Sequence, residues 1–99
     1  MSRTTEQIAM PVDVELFISP YCVRCAAARK TLEVILSGDL GETVCYRERN
    51  VLEHLERAVE LGVTHTPALA IGGGLVTIRS WRVDRFRQTI RDYLENRGQ

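Results

Sequence analysis

The sequence predicts an α/β domain with the element order βαβαββα. Three observations carry this prediction. Short apolar runs bounded by turn residues read as strands, longer segments repeat their apolar positions at three and four, and a glycine triplet divides one apolar stretch into a hairpin. Residues 1–11 show no periodicity, and Met10 before Pro11 is biased toward extended geometry. They are read as a flexible N-terminal segment, with the domain spanning residues 12–96.

The first strand is Val12 to Ile18, which begins by alternating and ends in a solid apolar run, as a strand entering the middle of a sheet does. Ser19-Pro20-Tyr21 breaks it. From Cys22, the positions Cys25, Ala28, Leu32, Ile35 and Leu36 share one helical face, Ala26-Ala27-Ala28 favours the helix, and Gly38 stops it. Thr43 to Val51 starts with β-formers and reads as the second strand. Leu52, Leu55, Val59 and, more loosely, Ala58 form the expected inner face of a second helix, closed by Gly62. Ala68 to Ile71 and Leu75 to Ile78, joined by Gly72-Gly73-Gly74, read as an antiparallel hairpin. Val83, Phe86, Ile90 and Tyr93-Leu94 define a third amphipathic helix, with Ser80 as a candidate cap.

The chain has 99 residues, 44% hydrophobic and 26% charged, with thirteen basic and thirteen acidic side chains. Such a composition excludes disorder, and the balanced charge disfavours nucleic acid and anionic membranes as partners. The longest uncharged stretch, Val63 to Ile78, contains Pro67 and three glycines and cannot be a membrane helix. No apolar leader is encoded near the start, so a cytoplasmic location is expected. Three cysteines in a reducing compartment point to catalysis or metal binding by the close pair, Cys22 and Cys25.

Two cysteines separated by two residues at a helix start have a chemical consequence. Their sulfurs lie one turn apart on one side, near unpaired backbone N–H groups that favour a thiolate. Arg24 between them adds positive charge, so Cys22 is expected to titrate well below the roughly 8.5 of a free thiol and to act as nucleophile. Cys25, more buried, is suited to attack the resulting mixed disulfide. Closed zinc sites usually need a second ligand pair, whereas Cys45, His54 and His65 are scattered singly. No metal or other cofactor is expected.

Ser19-Pro20-Tyr21-Cys22-Val23-Arg24-Cys25 after the first strand, followed by Thr66-Pro67-Ala68-Leu69 opening the hairpin, resembles the thioredoxin-like superfamily in its small form. The resemblance covers about Val12 to Leu94. It implies a four-stranded mixed sheet flanked by three helices, a cis Pro67 beside the disulfide, and backbone hydrogen bonds from Thr66 to an extended substrate, with Tyr21 contributing to the same surface. It also implies thiol–disulfide exchange on client proteins, with a reductase partner or glutathione restoring the dithiol. Two departures stand out. Leu16 occupies the position where typical thioredoxins carry a buried Asp, with Asp13 and Glu15 on the opposite side of the strand. Ser19-Pro20 and Arg79-Ser80-Trp81 stand where glutaredoxins hold glutathione.

The alternatives are a glutathione-dependent glutaredoxin-type reductase and a non-enzymatic metal-binding or redox adaptor; a monomer is expected. Cys45, between Val44 and Tyr46, reads as inert packing and His54 as a surface residue. His65 divides between a solvated loop residue and a group that tunes the sulfurs. Trp81 reads as cover for the edge of the core. The arginines of the third helix outnumber its acids and the glutamates of the second outnumber its base, a contrast that suits either solvated faces or partner steering.

Overall fold

A computed structural model describes residues 11–97. The strands are β1 (Val12–Ile18), β2 (Val44–Asn50), β3 (Ala68–Ile71) and β4 (Gly74–Val76); the helices are α1 (Cys25–Leu36), α2 (Leu55–Leu61) and α3 (Val83–Arg97). A 3-10 turn, Asp39–Glu42, precedes β2. The order βαβαββα holds. The flexibility expected of residues 1–11 falls outside the described residues except for Pro11.

The sheet has the order β2-β1-β3-β4. β1 pairs parallel with β2 and antiparallel with β3, and β3 pairs antiparallel with β4. As a central strand covered on both faces, β1 buries Val14, Glu15, Leu16 and Phe17 in succession. Alternation then divides the core in two. Val14 and Leu16 meet Ala28, Leu32 and Ile35 of α1, Leu69 and Ile71 of β3, and Phe86 and Ile90 of α3. Phe17 and Ala70 meet Ala58 of α2 on the opposite face, with Val51, Leu61 and Val63 around them.

Several boundaries differ from expectation for local reasons. α1 begins at Cys25, so Cys22 sits in the preceding turn. The hairpin turn is Gly72-Gly73, both with positive φ (62° and 87°), as the tight turns that match strand twist require. Gly74 therefore joins β4, which ends at Val76 rather than Ile78. α2 is one turn shorter than its apolar pattern suggested, because Leu52 and Glu53 lie in a turn in which the Leu52 N–H donates to Asn50 Oδ1. Its C-terminus closes on Gly62 (φ 88°), with the N–H groups of Gly62 and Val63 returning to Val59 and Ala58 carbonyls.

The expected inner face of α2 is overturned. Ala58 is buried, whereas Leu52, Leu55 and Val59 are 69%, 60% and 70% exposed. On the inward side Ala58 and Leu61 pack with Phe17, and Arg57, beside Ala58, reaches the buried Glu15 carboxylate of β1. Together these contacts hold the Ala58–Leu61 side of the helix inward. Cys45 likewise differs from the expected buried strand residue. It is half-buried and free, with Arg47 Nη2 directed at its sulfur from 4.0 Å. His54 is half-buried at the start of α2 rather than a surface residue. Trp81 packs against the main core and stacks on Phe86, with centroids 5.2 Å apart.

Candidate active site

The end of β1 delivers the chain into a turn that holds the two cysteines. Cys22 N–H donates to the Ser19 carbonyl at 3.4 Å and Cys25 N–H to the Cys22 carbonyl at 3.3 Å, which folds residues 19–25 back toward the sheet end. Cys22 and Cys25 are joined as a disulfide, with Cα atoms 5.4 Å apart. Cys25 is 5% exposed and belongs to the first turn of α1, whereas Cys22 is half-buried. No side chain caps α1 and its first turn carries no acid, so the positive end of the helix dipole is left for the sulfurs. Arg24, the N-cap residue, is exposed beside them.

The second motif lies against the first. The Thr66–Pro67 peptide is cis and Pro67 is buried. Thr66 Oγ1 and Ser19 Oγ share a hydrogen bond of 2.7 Å, which ties the loop before β3 to the residue that closes the cysteine turn. Ser19 is a site residue that sequence reasoning did not single out. Its signal was only a hydroxyl ahead of the motif, and a partner 47 positions away is invisible to periodicity.

Tyr21 is 97% exposed and Val23 is exposed as well, so the cysteine turn presents an apolar rim. On its α2 side a groove of about 300 Å³ opens, lined by Ser19, Val51, Leu55, Val63, His65 and Thr66 among others. His65 is exposed, with Nδ1 3.2 Å from the Thr64 hydroxyl. The exposed apolar side chains of α2 extend the same surface. They were visible in the sequence as a helical face, but the side they take was not.

The acid nearest in sequence to the motif is turned away from it. Glu15, 3% exposed, faces α2 and accepts from Arg49 Nε at 2.6 Å and from Arg57 Nη2 at 3.1 Å. Burial alone would raise its pKa; hydrogen bonds and charge from Arg57 and Arg49 outweigh that and hold its carboxyl below the ordinary glutamate range. Leu16, on the α1 side, is fully buried and supplies no proton. Opposite it in β2, Glu48 is occupied by Arg29 of α1 through two hydrogen bonds of 2.9 and 2.6 Å. Among the described residues, no group of three or more His, Cys, Asp or Glu is placed to hold a metal ion. No described helix is long and apolar enough to cross a membrane.

No family model matches the chain. It is 34% identical over 62 residues to a thioredoxin of Methanocaldococcus jannaschii, covering 63% of this chain and 72% of that one. It is 26% identical over 86 residues to a probable thioredoxin of Methanothermobacter thermautotrophicus, covering 87% of this chain and all of the relative. Among solved structures, Malassezia sympodialis thioredoxin superposes with a TM-score of 0.70 at 20% identity, over 88% of this chain and 80% of that one. Oxidised mitochondrial thioredoxin 3 of Saccharomyces cerevisiae gives 0.68 at 21% identity, over 88% and 83%. With a joined C-x-x-C pair at the start of a helix, a cis proline before β3 and these relatives, the chain belongs to the thioredoxin family and is a thiol–disulfide oxidoreductase of the thioredoxin type.

Proposed function

We propose that the protein reduces client protein disulfides, with Cys22 as nucleophile and Cys25 as resolving thiol. The observation that carries this assignment is the asymmetry of the pair: Cys22 is reachable from solvent, and Cys25 is buried one turn along. The disulfide in the structure is the oxidised end of the cycle. Once a reductase partner has delivered two electrons, the Cys22 thiolate attacks one client sulfur and the client's other sulfur leaves as thiolate. Cys25, deprotonated through solvent because Leu16 offers no base, then attacks the Cys22 sulfur. The client leaves as a dithiol, and the Cys22–Cys25 bond is restored.

The remaining site residues shape the approach. The uncapped α1 end stabilises the Cys22 thiolate, with the Arg24 charge added to it. Thr66 presents backbone groups to an extended client segment beside Pro67. Tyr21 packs on that segment, and an apolar client side chain enters the groove between Val51, Leu55 and Val63. His65 stands at the rim of the groove, where its imidazole would tune the sulfurs. Ser19 and Arg79-Ser80-Trp81 offer no lysine or paired glycine for glutathione, which favours a protein reductase as electron donor. A monomer in the cytoplasm suits a redox pair beside a third, free cysteine.

The test is covalent trapping. Cys25→Ser accumulates client adducts that dithiothreitol releases, and Cys22→Ser accumulates none. Adducts on Cys22→Ser, or none on either variant, would reverse or remove these roles.

A further inference from the structure

The sheet end that carries the disulfide also carries a second depression of different chemistry. Val76 of β4 pairs with Leu69, two residues after Pro67, so the chain leaves β4 at the active-site end. From there Thr77, Arg79 and Ser80 lead toward α3. With Asp84, Arg85 and Gln88 from the first turns of that helix, they line a cleft of about 510 Å³. The connection is fastened to the redox helix, because Thr31 of α1 donates its hydroxyl to the Trp81 carbonyl.

The cleft holds unspent positive charge. Arg29, Arg49, Arg57 and Arg82 each pair with a carboxylate, but among the described residues neither Arg79 nor Arg85 has one within salt-bridge distance. Asp84 also lines the cleft, yet its nearest cation is Arg82 at 3.6 Å, and the two remaining guanidiniums leave the surface net positive. Two of the neutral groups are engaged: the Ser80 hydroxyl accepts from Arg82 N–H, and the Gln88 amide donates to Asp92. Among the charged groups, two planar donor forks stay free, and these match carboxylates.

The opposite flank of the site has the other sign. Glu53, Glu56 and Glu60 surround α2, and Arg57, its base, is committed to Glu15 and Glu60. A segment crossing the disulfide therefore meets an acidic flank on one side and a basic one on the other.

We propose that the Arg79–Arg85 cleft receives acidic side chains of the client, so that client disulfides flanked on that side by Asp or Glu are preferred substrates. This rests on the client reading above and adds a substrate class to it. Exposed pairs of this kind act chiefly on the encounter rate and are screened by salt.

The test uses disulfide peptides that differ only in two flanking residues, Asp-Asp, Ser-Ser or Lys-Lys, placed on one side of the reactive cysteine and then on the other. In one placement, kcat/KM for the acidic peptide should exceed that for the serine peptide by about fivefold at low salt, the size expected of two exposed ion pairs. The ratio should collapse toward one at about 0.5 M salt. Arg79→Gln with Arg85→Gln should abolish the ratio while the serine peptide turns over as before. Arg79→Glu with Arg85→Glu should invert the preference toward lysine, a gain that a misfolded protein does not produce. Equal parent rates for all peptides in both placements would overturn the proposal alone, as would a preference that survives both glutamine changes. Saturable binding of inorganic phosphate at Arg85 without peptide selectivity would assign the cleft to a free anion and overturn it too. A parent that reduces no peptide overturns the client reading together with this one.

Discussion

Replacing Glu15 with Gln tests the ionic contact that joins β1 to β2 and α2. The carboxylate accepts from Arg49 Nε at 2.6 Å and from Arg57 Nη2 and Nε at 3.1 and 3.3 Å. A hydrogen bond to a charged group contributes about 1.5–3 kcal/mol when buried. The Arg57 side chain, however, is 37% exposed and is rehydrated when its partner is lost, so its share is the small one of a surface pair. Arg49, 21% exposed, keeps more, and the sum is about 2–3 kcal/mol. For a domain of this size, that lowers Tm by about 10–20 °C.

The pH dependence carries a sign. Because the folded-state pKa of Glu15 is lowered, its contribution is present in full above the ordinary glutamate value of about 4.3 and is lost as pH falls through the folded value. Urea unfolding of parent and Glu15→Gln at pH 7 should show the full gap. At pH 3 the gap should be smaller, since Glu15 of the unfolded chain is then largely protonated and unfolding is favoured by that proton uptake. A gap under about 0.5 kcal/mol at pH 7, or one of equal size at both pH values, would refute an ionic role.

Two further outcomes follow from burial. The Tyr46 hydroxyl is buried with no hydrogen-bond partner among the described residues, so Tyr46→Phe should unfold at equal or higher urea, by up to about 1 kcal/mol. Burial pushes the Tyr46 phenol up to about 12, and an alkaline absorbance titration should lose that late step in the same variant. In the reduced protein, brief iodoacetamide treatment at neutral pH should label Cys22 ahead of Cys25, a residue only 5% exposed; peptide mapping that finds Cys25 labelled first would contradict the nucleophile assignment.

The sequence by itself determined the elements and the reacting pair, because these depend on neighbours. Strand and helix periods lie within a few residues, Gly62, Gly72 and Gly73 serve the turns in which they stand, and two cysteines three positions apart meet wherever a helix begins between them. Tertiary structure decided what depends on register and on distant partners. Glu15 meets Arg49 and Arg57 across 34 and 42 positions, Ser19 meets Thr66 across 47, and Thr31 meets Trp81 across 50. The periodicity of α2 pointed to Leu52, Leu55 and Val59 as its core side, since apolar area is what a local pattern reports. The helix instead packs Ala58 and Leu61 on Phe17 and directs Arg57 to the buried Glu15 carboxylate, partners that a local pattern does not report, and Leu52, Leu55 and Val59 are left exposed.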